Sequence, residues 1–298
     1  MDKIIKLDTV HDYNELMGIE TLHPLVSVIN LSQCPPVYYR RVNYGLYCIF
    51  LKEGLCGKLL YGRQNYDYQE GTIVCVAPGQ VLGVEDDGQP HQPHGLGLVF
   101  HPDLIRGTSL GQNIGNYHFF SYESNEALHL SLKEREVIID CIRKIEIELH
   151  HDIDTHSNKL IARNIELLLD YCDRFYDRQF ITRANVNHDV ISRFESILND
   201  YFNTPSIQEE GLPSVASCAG HLNLSANYFG DLVKKETGVS AQEYIQKCVI
   251  EKAKERLLDP RQSIGEVAYS LGFKYPQHFT RLFKQRVGCT PNEYRSIK

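Results

Sequence analysis

The chain has 298 residues, 42% hydrophobic and 23% charged, which suits about two globular domains with cores of their own. No apolar run reaches the ~18 residues of a membrane span, and the acids within MDKIIKLDTVHDYNEL do not suit a secretory signal. These features point to a cytoplasmic protein with no membrane partner. A net charge of −7 argues, by itself, against nucleic acid.

The nine cysteines are Cys34, Cys48, Cys56, Cys75, Cys141, Cys172, Cys218, Cys248 and Cys289. Their odd number, wide spacing and lack of a C-x-x-C pair predict reduced, mostly buried thiols rather than a disulfide framework or a zinc site.

In chain order, residues 25–101 show apolar segments broken by turn signals: LVSVINL, YGLYCIFL, KLLYGRQ, TIVCVAP and LGLVF. Short strands at about ten-residue intervals predict a β-barrel or sandwich. YQEGTIVCVAPGQ is similar to half of a cupin-type barrel, with a glycine turn before a strand that ends in Pro-Gly. Tyr44, Tyr47, Tyr61, Tyr66 and Tyr68 fall on or beside these segments. A flat apolar ring with one polar tip suits a small polar or aromatic effector. The competing reading is that the rings fill the barrel and leave no cavity.

His91, His94 and His101 cluster in sequence. An enzymatic cupin needs two histidines alternating on one strand, a carboxylate and a further histidine. HQPHG has a proline between its histidines and sits in the loop-like EDDGQPHQPHG, so these are expected as surface loop residues. No catalytic triad or phosphate loop appears. The expectation is a non-enzyme with no metal and no cofactor; the alternative is a cupin-like metal enzyme fused to a DNA-binding module.

Ser131-Leu-Lys-Glu134 is a capping box opening a helix over about 132–150, and a second helix is expected over 155–176. Their apolar stripes belong either to the core of this domain or to a homodimer interface. A boundary near His188 gives a sensor and dimerisation domain, 1–187, and a second domain, 188–298. Residues 189–298 hold 14 basic and 13 acidic side chains, leaving −8 for the rest. Local charge is more telling: the segment 276–287 carries Arg281, Lys284 and Arg286 with no acid, as a phosphate-facing helix requires.

An amphipathic helix over 189–202 precedes an internal repeat. NYFGDLVKKETGVSAQEY from Asn227 matches QHFTRLFKQRVGCTPNEY from Gln277 at an offset of 50. Upstream the offset is 49, with Ser214, Val215, Ala219 and Leu222 matching Ser263, Ile264, Ala268 and Leu271. The same supersecondary unit is built twice. Each copy reads as helix, turn, helix, over about 214–238 and 263–288. Ser214 and Ser263 suit N-caps, Asn223 and Gly272 suit left-handed helix ends, and new helices start at Ser225 and Pro276. Ser240-Ala-Gln-Glu243 opens a helix over about 241–258, a rigid spacer that suits two reading helices meeting successive major grooves.

KKETGVSAQEYI, IEKAKERLLD and SIGEVAYSLGFKYPQHFTRLFKQRVGCTPNEYR, in this order, strongly resemble the AraC/XylS family of transcription regulators over the last ~110 residues. The implied fold is α+β: an N-terminal cupin-like β-barrel or sandwich plus helices, and a C-terminal all-α tandem helix-turn-helix domain. The implied partners are double-stranded DNA, a second copy, a small-molecule effector and, for an activator, RNA polymerase. Carried over by position, the first reading helix presents Ala226, Asn227, Gly230, Asp231 and Lys234 after Ser225. The second presents Pro276, Gln277, His278, Arg281 and Lys284. Family members often place larger donors where this chain has Gly230 and Asp231, so its first helix is expected to read fewer bases.

Overall fold

The computed structural model describes residues 4–38, 41–52, 71–82, 89–122, 126–151, 154, 156–182, 184–203 and 211–297. Backbone contacts divide it into two compact units, Met1–Thr182 and Arg183–Lys298. Position 188 falls inside the helix Ala184–Asn203, all of which belongs to the second unit.

The strands of the first unit are β1 (Ile5–Leu7), β2 (Val26–Asn30), β3 (Val37–Tyr38), β4 (Val42–Tyr44), β5 (Tyr47–Lys52), β6 (Thr72–Val76), β7 (Val81–Leu82), β8 (Pro90–His91), β9 (Gly95–Phe100) and β10 (Leu128–His129). The main sheet is antiparallel in the order β10-β6-β5-β9-β2. A second sheet has β4 between parallel β1 and antiparallel β7, and β3 pairs with β8. Four expected segments thus supply β2, β5, β6 and β9; the fifth, KLLYGRQ, lies outside the described residues.

Of the expected barrel or sandwich, the barrel is corrected: the described residues close no barrel and form three separate sheets, with β2 and β10 as the edges of the largest. Both faces of that sheet are nonetheless covered, which explains why TIVCV reads as a continuous apolar run with all five residues buried. Alternation sends Cys48, Phe50, Val76 and Val99 into a cluster with Val10, Tyr13 and Met17 of the helix Val10–Met17. On the other face Cys172, on the helix Ser157–Thr182, lies near Cys75 of β6 and Cys141, and burial holds the Cys172 thiol well above its ordinary pKa. Gly95 is where β9 begins: at φ +114, a Cβ there would lie 1.9 Å from the Leu51 carbonyl oxygen.

Ser131 and Glu134 form the expected capping box on the helix Leu132–Leu149. The following helix, Ser157–Thr182, ends six residues later than expected at 176. The apolar stripe fades into Asp177-Arg178-Gln179, yet these polar residues are held by tertiary bonds. Gln179, buried, accepts from the His129 N–H (2.8 Å) and donates to the Ala127 carbonyl (3.2 Å). Arg178 donates to Glu134 (2.7 Å) and to the His129 carbonyl (2.7 Å). No helix among the described residues is long and apolar enough to cross a membrane.

Candidate nucleic-acid interface

The second unit contains two helix pairs. In the first, a support helix, Val215–His221, precedes the first reading helix, Ala226–Thr237. In the second, Ile264–Ser270 precedes the second reading helix, Pro276–Val287. The linker helix Ala241–Leu257 joins the pairs, and Pro291–Ile297 follows them.

Each boundary has a local cause. The Ser214 hydroxyl accepts from the Ser217 N–H (3.0 Å) and the Ser225 hydroxyl from the Tyr228 N–H (3.2 Å). Ser240 with Glu243 and Ser263 with Glu266 are reciprocal capping boxes. Thr290 and Glu293 make the same pair of bonds (2.7 and 3.3 Å). The turn of each pair passes through a left-handed residue, Asn223 (φ 56°) and Gly272 (φ 86°). Asn223 is the one non-glycine residue with positive φ among those described, and it takes the place that glycine fills in the other copy. The same closing bond recurs 49 residues apart: Leu224 N–H to the Ala219 carbonyl and Phe273 N–H to the Ala268 carbonyl, both 3.0 Å.

The i, i+3, i+4 stripes of the reading helices turn inward. Phe229, Leu232 and Val233 are buried, as are Phe279 and Phe283, with Leu282 partly so. Both pairs share one core with Phe194, Val249 and Ala253. Phe194 meets Phe229 edge-on at 4.9 Å.

The opposite faces are left to solvent. Ala226, Asn227 and Lys234 are exposed on the first reading helix, while Ser225, Gly230 and Asp231 are half-buried. A Cβ at Gly230 would meet open space, so packing does not demand glycine there. On the second helix Gln277, His278, Arg281 and Lys284 are exposed and Pro276, at the first helical position, is half-buried. Arg281 and Lys284 form no salt bridge among the described residues. Arg286, by contrast, donates to the Gln246 side chain and ties its helix to the linker. Lys234, Lys235, Lys284 and Arg286 lie in last helical turns, where they complement the carbonyl ends.

Three side chains tie the linker helix to its neighbours; the sequence marks Tyr244 only as a match in the repeat, and Arg256 and Arg295 not at all. Arg256 donates to the Ser270 and Phe202 carbonyls, Tyr244 donates to Glu195, and Arg295 donates to the Leu257 carbonyl. The available signal for Arg256 is its place beside the buried stripe Val249, Ala253 and Leu257 of its own helix.

In the first unit, Tyr44 packs against Tyr13 and Phe50, and Tyr47 stacks on Phe100 and meets Phe120 edge-on, both at 5.1 Å. Burial raises both tyrosine pKa values. Tyr61, Tyr66 and Tyr68 lie outside the described residues. The expected loop placement of the histidines needs correction at one position, because His91 lies on β8 paired with β3. His94 is exposed, and His101 caps a short helix by accepting from the Asp103 N–H (3.1 Å). No group of three metal-binding side chains occurs among the described residues.

A family model described as a helix-turn-helix domain matches residues 218–297. The Tn10 transposon TetD protein of Escherichia coli is 36% identical over 149 residues, 49% of this chain and 93% of that protein. The HTH-type transcriptional regulator YfiF of Bacillus subtilis is 28% identical over 141 residues, 47% of this chain but only 41% of that relative's length. The probable transcriptional regulator LumQ of Photobacterium leiognathi is 22% identical over 231 residues, 76% of this chain and 83% of that protein. With two helix pairs in one core, and a match of more than one-third identity over 93% of a relative's length, the chain belongs to the AraC/XylS family of transcription regulators.

Proposed function

We propose that this protein regulates transcription by sequence-specific binding to double-stranded DNA through both reading helices. One observation carries this reading: two reading helices built alike expose polar and basic faces while their apolar faces share one core. The linker helix has 17 residues, about 25 Å at ~1.5 Å per residue, and spaces the pairs rigidly. In this proposal Arg281 forks onto guanine O6 and N7, Gln277 and Asn227 pair with adenine, and Asp231 accepts from cytosine N4. Lys234 and Lys284 take phosphate oxygens. His278 lies on the same exposed face, and Ala226, Gly230 and Pro276 allow close approach.

Among its described residues the first unit contains no such helix pair, and it is proposed to supply the regulatory input. A small-molecule effector would meet the hydroxyl-bearing rings of Tyr44 and Tyr47, and a second copy would cover apolar side chains such as Leu160 and Leu167, exposed on one helix. Contact with RNA polymerase, with activation as the outcome, belongs to the same proposal, as do a cytoplasmic location and the absence of catalysis.

Selection from a random-sequence duplex pool by the full chain tests the central reading. Enrichment of one motif with two parts about a helical turn apart is expected. Binding that is equal on selected and scrambled duplexes would refute it.

A further inference from the structure

We propose that Tyr275 is a base-reading residue of the second helix pair, contacting the C5 methyl group of a thymine in the major groove; the proposal rests on the DNA-binding reading above. Tyr275 is the residue before the second reading helix, at the end that leads into the groove in helix-turn-helix docking. It is 55% exposed, a large aromatic side chain left in water. Its ring meets His278 one turn further on, centroids 5.5 Å apart at 71°. Steps of three then carry the line from Tyr275 to His278 to Arg281 along one edge of the helix.

The internal repeat shows that the fold does not ask for this ring. The equivalent residue 50 positions earlier is Ser225, whose hydroxyl caps its helix. Serine or threonine also caps the helices after Ser214, Ser240, Ser263 and Thr290, whereas Tyr275 makes no side-chain cap bond. Forgoing a cap destabilises a helix, and such local losses are expected where a residue is kept for function. What tyrosine adds over serine is the ring, since serine already offers a hydroxyl to a phosphate. In the major groove, the apolar group that distinguishes thymine is its methyl.

The test uses the full chain and a duplex it has selected from a random pool, with each thymine replaced in turn by deoxyuridine. Wild type is expected to lose about fourfold in affinity at one position, the worth of one buried methyl. Tyr275→Phe should behave as wild type. Tyr275→Ser should bind the selected duplex more weakly and be indifferent to deoxyuridine at that position. Its melting temperature should equal or exceed that of wild type, because the substitution restores a cap, so weaker binding cannot come from misfolding. Two results overturn the proposal: Tyr275→Ser retaining the deoxyuridine penalty, or Tyr275→Phe weakening binding to selected and scrambled duplexes alike, the mark of a hydroxyl on phosphate. Failure of the full chain to enrich any motif would overturn the DNA-binding reading itself, and this proposal with it.

Discussion

Arg256 clasps Ser270: one guanidinium nitrogen donates to both the carbonyl oxygen (2.6 Å) and the hydroxyl oxygen (2.7 Å) of that residue. A second nitrogen donates to the Phe202 carbonyl (2.6 Å). One side chain on the linker helix therefore satisfies carbonyls at the ends of two other helices, in the second support helix and in Ala184–Asn203. The planar fork makes this possible, and a lysine cannot reproduce it. Arg256→Lys should destabilise the second unit by about 1–3 kcal/mol, read as a lower urea midpoint. An unchanged midpoint would show that the clasp adds nothing to stability.

The helix Ala184–Asn203 sets where the second unit can be cut. Asn187 is buried, and its side-chain amide donates to Glu236 at the end of the first reading helix (3.0 Å). Fragment 183–298 should fold alone with a helical circular dichroism spectrum, because its core cluster draws on its own residues. Fragment 189–298 loses the Asn187 bond and the first turn of that helix, and should be less stable by about 1 kcal/mol or more. Equal stability of the two fragments would contradict this.

Much of the second unit was legible because its elements are specified locally. Ser263 and Glu266 announce a helix start within four residues, and Asn223 and Gly272 announce their turns by tolerating positive φ. The faces of the reading helices followed from the period of Phe229, Leu232 and Val233. What was not legible depends on distant partners. Gln179 and Arg178 look like a helix end by hydropathy, yet bonds to His129 and Glu134, more than 40 residues away, carry the helix onward. Strand β1 is three residues long and pairs with β4 some 37 positions later, so no local pattern marks it. Tyr44 and Tyr47 were correctly placed on or beside strands, but which rings they pack against is a property of the assembled sheet.

The capping glutamates give the second unit an acid limit. Hydrogen bonds from Ser240 to Glu243, from Ser263 to Glu266 and from Thr290 to Glu293 hold all three carboxyls below the ordinary glutamate range. A depressed folded-state pKa contributes stability above the unfolded value, ~4.3, and that contribution is lost as pH falls through the folded value. The melting temperature should therefore drop as pH falls below about 4. Glu266→Gln keeps an acceptor for the Ser263 N–H but cannot be protonated there. It should melt below wild type at neutral pH, with the gap closing on acidification. A gap that stays constant with pH would remove Glu266 from the set.

Arg281 and Lys284 stand one turn apart on the exposed face of the second reading helix, and the proposed reading gives them different tasks. A guanidinium forked onto guanine discriminates one base pair, so Arg281→Ala should cost about 1–3 kcal/mol on the selected duplex and relax preference at one position. An ammonium on phosphate carries no sequence information. Lys284→Ala should weaken binding to selected and scrambled duplexes by the same factor, and lower the slope of log affinity against log salt by about one. Arg281 forms no salt bridge among the described residues, so its removal should leave the melting temperature nearly unchanged, whereas Lys284→Ala should lower it slightly, because Lys284 complements the end of its helix and faces Glu293. Titrations of both variants on both duplexes at several salt concentrations separate the two roles. Equal loss on both duplexes for Arg281→Ala would move that residue from base to backbone. A sequence-dependent loss for Lys284→Ala would do the reverse and place the base-reading edge one turn further along the helix.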